Sequence, residues 1–132
     1  MAKAMKVKQL QITLPNKVGL LSEVTTAIAA AKVNITAICG YEMENNALFM
    51  MTTESNAKAK KALAPMGGTI TEEDVVEVEM ANKAGELMKI AMKIADAGIN
   101  INYIYGTSAA GKTGTCIVKT ADDKKAIKLI NK

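Results

Sequence analysis

The residues with the clearest chemical potential lie in two short loops, each between a strand-like segment and a helix-like one. The first loop is Pro-Asn-Lys-Val-Gly-Leu-Leu at 15–21, and the second loop is Ala-Asn-Lys-Ala-Gly-Glu-Leu at 81–87. A helix that begins within such a loop presents free N–H groups and a partial positive charge, which suit a carboxylate. Asn16 and Asn82 can both donate and accept hydrogen bonds, so an ammonium group could be bound nearby.

Each copy carries further residues that fit such a site. Asn34 and Asn100 stand before the next strand-like segments and supply a second amide to each copy. Gly19 and Gly85 allow another backbone or a ligand to approach closely. Alternatively, an asparagine at a turn or before a strand caps its own backbone and binds nothing else. The pattern therefore predicts either two small-ligand sites or a set of self-capped turns.

The two loops belong to an internal duplication with an offset of 66 residues, as from Asn16 to Asn82. The offset holds without a gap over about twenty-five positions, which indicates one supersecondary unit present twice. Further matched pairs are Lys17 and Lys83, Gly19 and Gly85, Leu21 and Leu87, Ile28 and Ile94, Ile35 and Ile101, Ile38 and Ile104, and Gly40 and Gly106.

The elements of the first copy alternate as strand, helix, strand, strand, helix, strand. Residues 8–14 alternate between apolar and polar side chains, which predicts a half-buried strand that Pro15 ends. Apolar residues then recur every three or four positions from Leu20 to Ala31, which predicts a helix. Strands at 34–43 and 47–53, a helix at 56–66 and a short strand at 69–72 complete the predicted unit.

The second copy repeats this order but stops after its second helix, which is predicted at 122–131. The fold class is therefore α+β: two ferredoxin-like βαββαβ units in tandem, with antiparallel sheets and the helices on one face. We assign residues 1–73 to the first unit and 74–132 to the second, which lacks its last strand. The missing strand leaves a sheet edge that a partner could cover.

Composition argues against several functions that this fold can carry. The net charge is +4, but all seventeen basic residues are lysine, whereas arginine suits bidentate contacts with phosphates and base edges. One Phe and three Tyr are too few for the stacking surface of an RNA-recognition module. The chain has no His and no Cys-x-x-Cys loop, which argues against triad catalysis and metal binding. We therefore expect no catalytic residues, no metal, no cofactor and no nucleic-acid partner.

Hydropathy and cysteine usage predict a cytoplasmic protein with no membrane partner. No apolar run approaches the ~20 residues of a membrane span. Residues 1–6 do not lead into the apolar core of a signal peptide. Cys39 and Cys116 are interpreted as small hydrophobic residues in strands rather than as a disulfide pair.

Residues 106–113, Gly-Thr-Ser-Ala-Ala-Gly-Lys-Thr, match the G-x-x-x-x-G-K-[ST] pattern of a phosphate-binding loop. That chemistry needs a helix directly after the lysine, because the N–H groups at its start hold the phosphates. Here the following residues 114–120 are rich in β-branched side chains, so a hairpin loop with an exposed Lys112 is favoured. Nucleotide binding by this loop remains the weaker alternative.

The first loop, followed by a helix and Val-Asn-Ile at 33–35, resembles the signature of the ACT domain family. The second loop, with Ile-Asn-Ile at 99–101, resembles it too, so the likeness covers nearly the whole chain. The chain is similar to small stand-alone tandem ACT proteins. The resemblance implies a non-catalytic regulatory module that binds a small ligand, usually an amino acid, where the loop of one unit meets a neighbouring unit. We expect the paired state to be formed within the chain or by a homodimer.

The resemblance also implies a set of ligand-binding positions in each copy. The second copy departs from the family pattern, since it lacks Pro at 81 and carries Glu86, which would repel a carboxylate. We therefore expect the first copy to be the better site. The alternative is a structural interaction module whose ligand sites are vestigial. The matching positions are Asn16, Lys17, Val18, Gly19, Leu20 and Asn34 in the first copy, and Asn82, Lys83, Ala84, Gly85, Glu86 and Asn100 in the second.

Overall fold

The computed structural model describes residues 2–108 and 110–132 and divides them into two compact units. The first unit is residues 8–73, and the second is residues 74–132 together with 2–7. The predicted fold class is confirmed, because each unit combines antiparallel strands with two helices in ferredoxin-like order. In the described part of the chain, no helix combines the length and apolar character needed to cross a membrane.

The strands and helices follow the predicted order. One turn of 3-10 helix, Ala64–Met66, extends the second helix. Two strands are longer than predicted, since β1 begins at Lys3 and β4 joins two predicted strands into one. In chain order the elements are β1 (Lys3–Pro15), α1 (Leu20–Ala30), β2 (Ile35–Met43), β3 (Asn46–Thr53), α2 (Asn56–Leu63), β4 (Thr69–Ala81), α3 (Glu86–Asp96), β5 (Ile101–Thr107), β6 (Thr113–Thr120) and α4 (Asp123–Asn131).

Both units arrange four strands in the same order. The order is β2-β3-β1-β4 in the first unit and β5-β6-β4-β1 in the second. β4 is therefore the last strand of the first unit over residues 69–73 and the first strand of the second unit over residues 74–81. The pairs β1/β3, β2/β3, β4/β6 and β5/β6 are antiparallel.

The segment 2–7 lies in the second compact unit, whereas the sequence assigns it to the first. In the described chain no strand follows α4, as predicted, but the start of β1 occupies that place beside β4. Ala4 is buried in the second core. Its N–H donates to Oδ1 of Asn131 at 2.7 Å, and its C=O accepts from Nδ2 of the same residue at 2.9 Å. The sheet edge that was expected to be open is therefore filled by the chain itself.

The core of the first unit lies between its strands and its two helices. Leu10, Ile12 and Leu14 are buried on one face of β1, as their alternation with polar residues predicts. The helices contribute residues at three- and four-residue spacing, such as Val24 and Ile28 of α1. Burying one side chain of this size stabilises the fold by about 1.5–3 kcal/mol.

The core of the second unit repeats this arrangement with different side chains. Val76, Val78 and Met80 of β4 take the places that Leu10, Ile12 and Leu14 have in the first unit, and Ile90 and Ile94 of α3 cover them. Each core fixes the end of its first strand and the start of its first helix. It thereby fixes the loop that joins them, which is where the candidate residues lie.

Candidate functional site

The first loop leads from β1 into α1 and is tied to a neighbouring turn. Asn16 donates its backbone N–H to the C=O of Asn45, in the turn between β2 and β3, at 2.8 Å. Gly19 has φ +85°, a left-handed conformation that side chains rarely adopt, and α1 begins at the next residue. A Cβ at Gly19 would meet nothing within 4 Å, so the backbone conformation, rather than a close approach, requires glycine here.

The second loop has the same backbone contacts. Asn82 donates its backbone N–H to the C=O of Lys112 at 2.9 Å, and its side-chain amide donates to the C=O of Gly111 at 3.1 Å. Gly85 has φ +89°, and α3 begins at Glu86. In both units the loop is therefore bound to the hairpin that joins the next two strands.

The helices that follow these loops start without a capping side chain, in contrast to the other two helices. Ser55 accepts a hydrogen bond from the N–H of Lys58 at the start of α2, and Asp122 accepts one from Lys125 at the start of α4. The residues before α1 and α3 are Gly19 and Gly85, and neither helix has a side-chain cap. A helix start without a cap keeps N–H donors and partial positive charge for another group.

A cavity of about 310 Å³ borders the start of α1, and we call it the first cavity. Its polar wall is built by Asn16 and Glu42, because Nδ2 of Asn16 donates to Oε2 of Glu42 at 2.9 Å. Lys17 also lines it, with its ammonium 3.0 Å from the carboxylate of Glu23. The lining residues are Asn16, Lys17, Gly19, Leu20, Leu21, Gly40, Tyr41, Glu42, Ala47 and Phe49.

A larger cavity of about 400 Å³ borders the start of α3, and we call it the second cavity. Glu86 lines it, and a hydrogen bond from the Lys89 ammonium, 2.7 Å away, lowers the pKa of the Glu86 carboxyl. This pairing reduces the repulsion that Glu86 was expected to exert on a carboxylate. The lining residues are Met80, Ala81, Asn82, Lys83, Glu86, Leu87, Ile104, Tyr105, Gly106, Thr107, Ser108, Gly114, Thr115 and Cys116.

The predicted loop residues divide into those that line a cavity and those that do not. Val18 is fully exposed, and neither Ala84 nor Gly85 lines the second cavity. The predicted residues that the structure brings to a cavity wall are Asn16, Lys17, Gly19 and Leu20 in the first unit, and Asn82, Lys83 and Glu86 in the second.

Asn34 and Asn100 lie away from the loops of their own units. Asn34 precedes β2, whereas the first loop lies beside the far end of that strand. Eight strand residues span roughly 26 Å, which is too far for one small ligand to bridge. Instead, Nδ2 of Asn34 donates to Oε1 of Glu54 at 3.4 Å, and the backbone C=O of Asn34 accepts from the N–H of Glu54 at 3.0 Å. The backbone C=O of Asn100 accepts from the N–H of Ala121 at 2.9 Å. Their role in ligand binding stays a prediction.

Sequence reasoning missed the residues that the hairpins bring to each cavity. Tyr41 and Glu42 near the end of β2 line the first cavity. Thr107, the last residue of β5, and Ser108, directly after it, line the second cavity. The signal for them was the matched pair of glycines at 40 and 106, one residue before these positions begin. That pair indicated where the second strand of each unit approaches the loop.

The described residues give no support to metal or phosphate chemistry. Within residues 2–108 and 110–132, no group of three or more His, Cys, Asp or Glu side chains is placed to hold a metal ion. In the 106–113 loop, Ala109 lies outside the described residues. The chain enters strand β6 at Thr113, directly after Lys112, so the helix that a phosphate-binding loop requires does not follow. Instead, the backbone of Lys112 holds the second loop.

Comparison with family models gives a match over nearly the whole chain. A model described as an ACT domain pair matches residues 5–132. None of the curated proteins matches the chain significantly.

Comparison with solved structures gives matches over nearly the whole chain. Protein BT0572 from Bacteroides thetaiotaomicron matches with a TM-score of 0.88 and 29% identity, over 97% of this chain and 88% of that one. The ligand-free regulatory subunit of aspartate kinase from Thermus thermophilus matches with a TM-score of 0.69 and 16% identity, over 97% of this chain and 94% of that one. E. coli aspartokinase III in complex with lysine and aspartate matches with 0.57 and 18%, over 97% of this chain and 31% of that one. The likeness to the two kinase structures concerns the fold.

Proposed function

Because this chain belongs to the ACT domain pair family, we propose that it is a non-catalytic regulatory protein that binds an amino acid at its strand–helix loops. It acts in the cytoplasm, where its two thiols, which are free cysteines in the structure, stay reduced. The proposed contacts in the first unit are the cavity-lining residues of the first loop, and those in the second unit are the equivalent residues of the second loop.

The observation that carries this proposal is that each cavity borders a helix start without a capping side chain. The ligand carboxylate accepts hydrogen bonds from N–H groups at the start of α1 or α3, where the helix dipole favours negative charge. Cavities of about 310 and 400 Å³ fall within the size range of small-molecule sites. The loop lysines add positive charge at the rim, and the hairpin supplies the opposite wall.

The comparisons support the ligand class. The relatives with this fold include regulatory subunits of aspartate kinase, and the E. coli aspartokinase III structure contains lysine and aspartate. This chain spans 31% of that kinase, so the kinase's activity is no part of the proposal.

We also propose that two chains pair and that the second chain covers the open side of a cavity. In the sheet formed by the described residues, β2 and β5 each have one neighbouring strand, so each has one edge of backbone groups available for another chain. Large apolar side chains lie exposed on and beside them, including Tyr41, Met43, Leu87 and Ile104. In such a dimer Asn34 or Asn100 of one chain could approach a loop of the other. A ligand held by both chains would stabilise the dimer.

A thermal-shift screen with the twenty amino acids, ATP and GTP tests the function. At one hundred times Kd a bound ligand adds about 2.7 kcal/mol to stability, which is several degrees for a chain of this size. We expect a shift from one or two amino acids that decreases in Asn16→Ala or Asn82→Ala and persists in Lys112→Ala. Lys112→Ala is the control, because it removes an exposed side chain and keeps the backbone C=O that holds the second loop.

The alternative is a structural interaction module with no ligand. It is favoured by one observation, namely that the side-chain amides of Asn16 and Asn82 already bond to their own hairpins. A screen in which no amino acid raises Tm would establish this alternative. A shift from ATP or GTP alone, lost in Lys112→Ala, would establish nucleotide binding by the 106–113 loop.

A further inference from the structure

The two cavities differ in charge at two pairs of equivalent lining positions, Leu20 and Glu86 at the helix start and Glu42 and Ser108 at the hairpin. We propose that Glu42 receives the ammonium group of the amino acid in the first cavity, and that Ser108 leaves the second cavity without such a group. The first cavity therefore distinguishes an amino acid from its N-acetyl derivative, and the second cavity does so weakly. This inference rests on the proposed function and names the residue that selects the ligand.

The strand register places Glu42 and Ser108 on equivalent walls. Gly40 pairs with Phe49 and Glu42 pairs with Ala47. Because Phe49 and Ala47 belong to the first core, Gly40 and Glu42 lie on the same face of the sheet as that core. Ser108 follows Gly106 at the same spacing, and Gly106 pairs with Cys116 of the second core. A Cβ at Gly114 would come within 3.1 Å of Cβ of Ser108, so the Ser108 side chain lies over that part of the cavity wall.

The charge of Glu42 is left for a ligand. Its Oε2 accepts a hydrogen bond from the amide of Asn16, which is neutral and orients the carboxylate without neutralising it. The lysine that lines the same cavity, Lys17, pairs with Glu23 at 3.0 Å. Among the described residues, no lysine lies within ion-pair distance of Glu42.

The lining of the first cavity includes groups that attract opposite charges. The start of α1 attracts the ligand carboxylate, and Glu42 attracts the ligand ammonium. A zwitterion satisfies both groups, whereas an N-acetyl amino acid leaves Glu42 without a cation.

Among its described lining residues, the second cavity has no equivalent of this arrangement. The carboxylate in its lining is Glu86, which belongs to the start of α3 itself and bonds to Lys89 at 2.7 Å. It therefore stands at the end of the cavity where the ligand carboxylate is expected. Beside the hairpin, Ser108 offers a hydroxyl. Because the hydroxyl is neutral, it binds an ammonium only slightly better than a neutral amide.

The test compares Glu42→Gln with Glu44→Gln by isothermal titration calorimetry, using the twenty amino acids and their N-acetyl derivatives as probes. Glutamine keeps an oxygen for the Asn16 amide, so the cavity wall is preserved. Glu44 lies in the same hairpin turn outside the cavity lining, so its variant makes the same change of charge without a direct contact. A charge-assisted hydrogen bond corresponds to about a 10- to 100-fold difference in Kd.

We expect Glu42→Gln to weaken amino-acid binding at one of the two sites by about 10- to 100-fold, and Glu44→Gln to change it less than threefold, roughly. The preference for amino acids over N-acetyl derivatives should disappear at the same site. If Glu42→Gln and Glu44→Gln bind the amino acids equally well, the role of Glu42 is wrong and the proposed function stands. If the wild-type protein binds none of the probes, both are wrong.

Discussion

The hairpins of the two units differ in length and in chemistry, although the loops that they hold have the same backbone. In the first unit the turn between β2 and β3 consists of Glu44 and Asn45, which both have positive φ angles. In the second unit the loop between β5 and β6 runs over residues 108–112. In both cases a carbonyl of the hairpin accepts the backbone N–H of the loop asparagine.

This difference shows that the hairpin of the duplicated unit tolerates changes in length and in side chains. The contact between loop and hairpin is made by backbone atoms, so it survives a change of hairpin length and of every side chain in it. The side chains at the cavity wall are then free to differ, and Glu42 in one unit corresponds to Ser108 in the other. The shared backbone thus positions two cavities of different size and charge.

The largest expected effect on stability concerns the start of β1, which completes the second unit. We expect Ala4→Glu to destabilise the protein by about 3 kcal/mol or more, because it buries a charge in the second core. Met5→Glu is the control, since the next residue is 45% exposed. Urea unfolding measures the stability, and hydrogen exchange should show the larger loss of protection in β5 and β6 rather than in β2 and β3. Equal effects of the two variants would contradict the placement of residues 2–7.

The two cysteines offer a second contrast, in the dependence of stability on pH. Burial raises the pKa of the Cys116 thiol from 9.0 to about 11. The folded state therefore binds the thiol proton more tightly than the unfolded state. The contribution of this thiol to the free energy of unfolding is fully present below pH 9 and is lost as pH rises towards 11. Between pH 8 and 10.5 the wild type should lose about 2 kcal/mol more stability than Cys116→Ala.

Urea unfolding at the two pH values measures this difference. Cys39→Ala is the matched control, because it keeps the Cys116 thiol and should keep the extra loss of stability. If the wild type and Cys116→Ala lose the same stability, burial of the thiol has no part in the pH dependence.

A third prediction transfers the charge of one cavity to the other. Ser108→Glu should give the second cavity a carboxylate at its hairpin end and raise its preference for amino acids over N-acetyl derivatives by about tenfold. Ala110→Glu adds the same charge at an exposed position of the same loop and serves as the control. Calorimetry with both ligand series measures the preference, and an equal response of the two variants would mean that general charge, not the cavity wall, is responsible.

The smallest effect concerns the residues that follow the C-caps of α1 and α3. Lys32 and Gly98 are equivalent, and their φ angles are +59° and +70°. Because lysine is strained in this region and glycine is not, Lys32→Gly should stabilise the protein and Gly98→Lys should destabilise it, each by about 1 kcal/mol. Thermal unfolding measures both, and Lys58→Gly on the exposed face of α2 should be destabilising, since glycine in a helix has the opposite effect.

Most of the fold could be predicted because its signals are local. The alternation of Leu10, Ile12 and Leu14 and the spacing of apolar residues in the helices each indicate one element and one buried face. The duplication then fixed the order of elements, because a weak pattern in one copy could be compared with the other.

The extra length of β1 and β4 could not be predicted, because its stabilising contacts are distant in sequence. Ala4 is too small to give a hydrophobic signal among lysines, and it is held by Asn131, 127 positions away. Residues 73–75, Glu-Asp-Val, lie beyond the short strand predicted at 69–72, yet they lie within β4.

The site was predicted in part for a similar reason. The loops were found from sequence, because glycine before a helix is a local signal. The hairpin residues Glu42 and Ser108 were missed, since only strand register brings them beside a loop that is 26 residues away in each unit. Asn34 was grouped with the loop because it follows in the motif, but α1 carries the chain back to the opposite end of the sheet.

The bond between Ala4 and Asn131 has a consequence for the order of events during synthesis. The first unit is continuous in sequence, so it can fold as soon as residue 73 has left the ribosome. The segment 2–7 is made before it but finds its partner only after more than a hundred further residues have been translated. Closing so long a loop is slow relative to local folding. During that interval we expect the segment 2–7 to stay available to chaperones, to proteases and to neighbouring nascent chains.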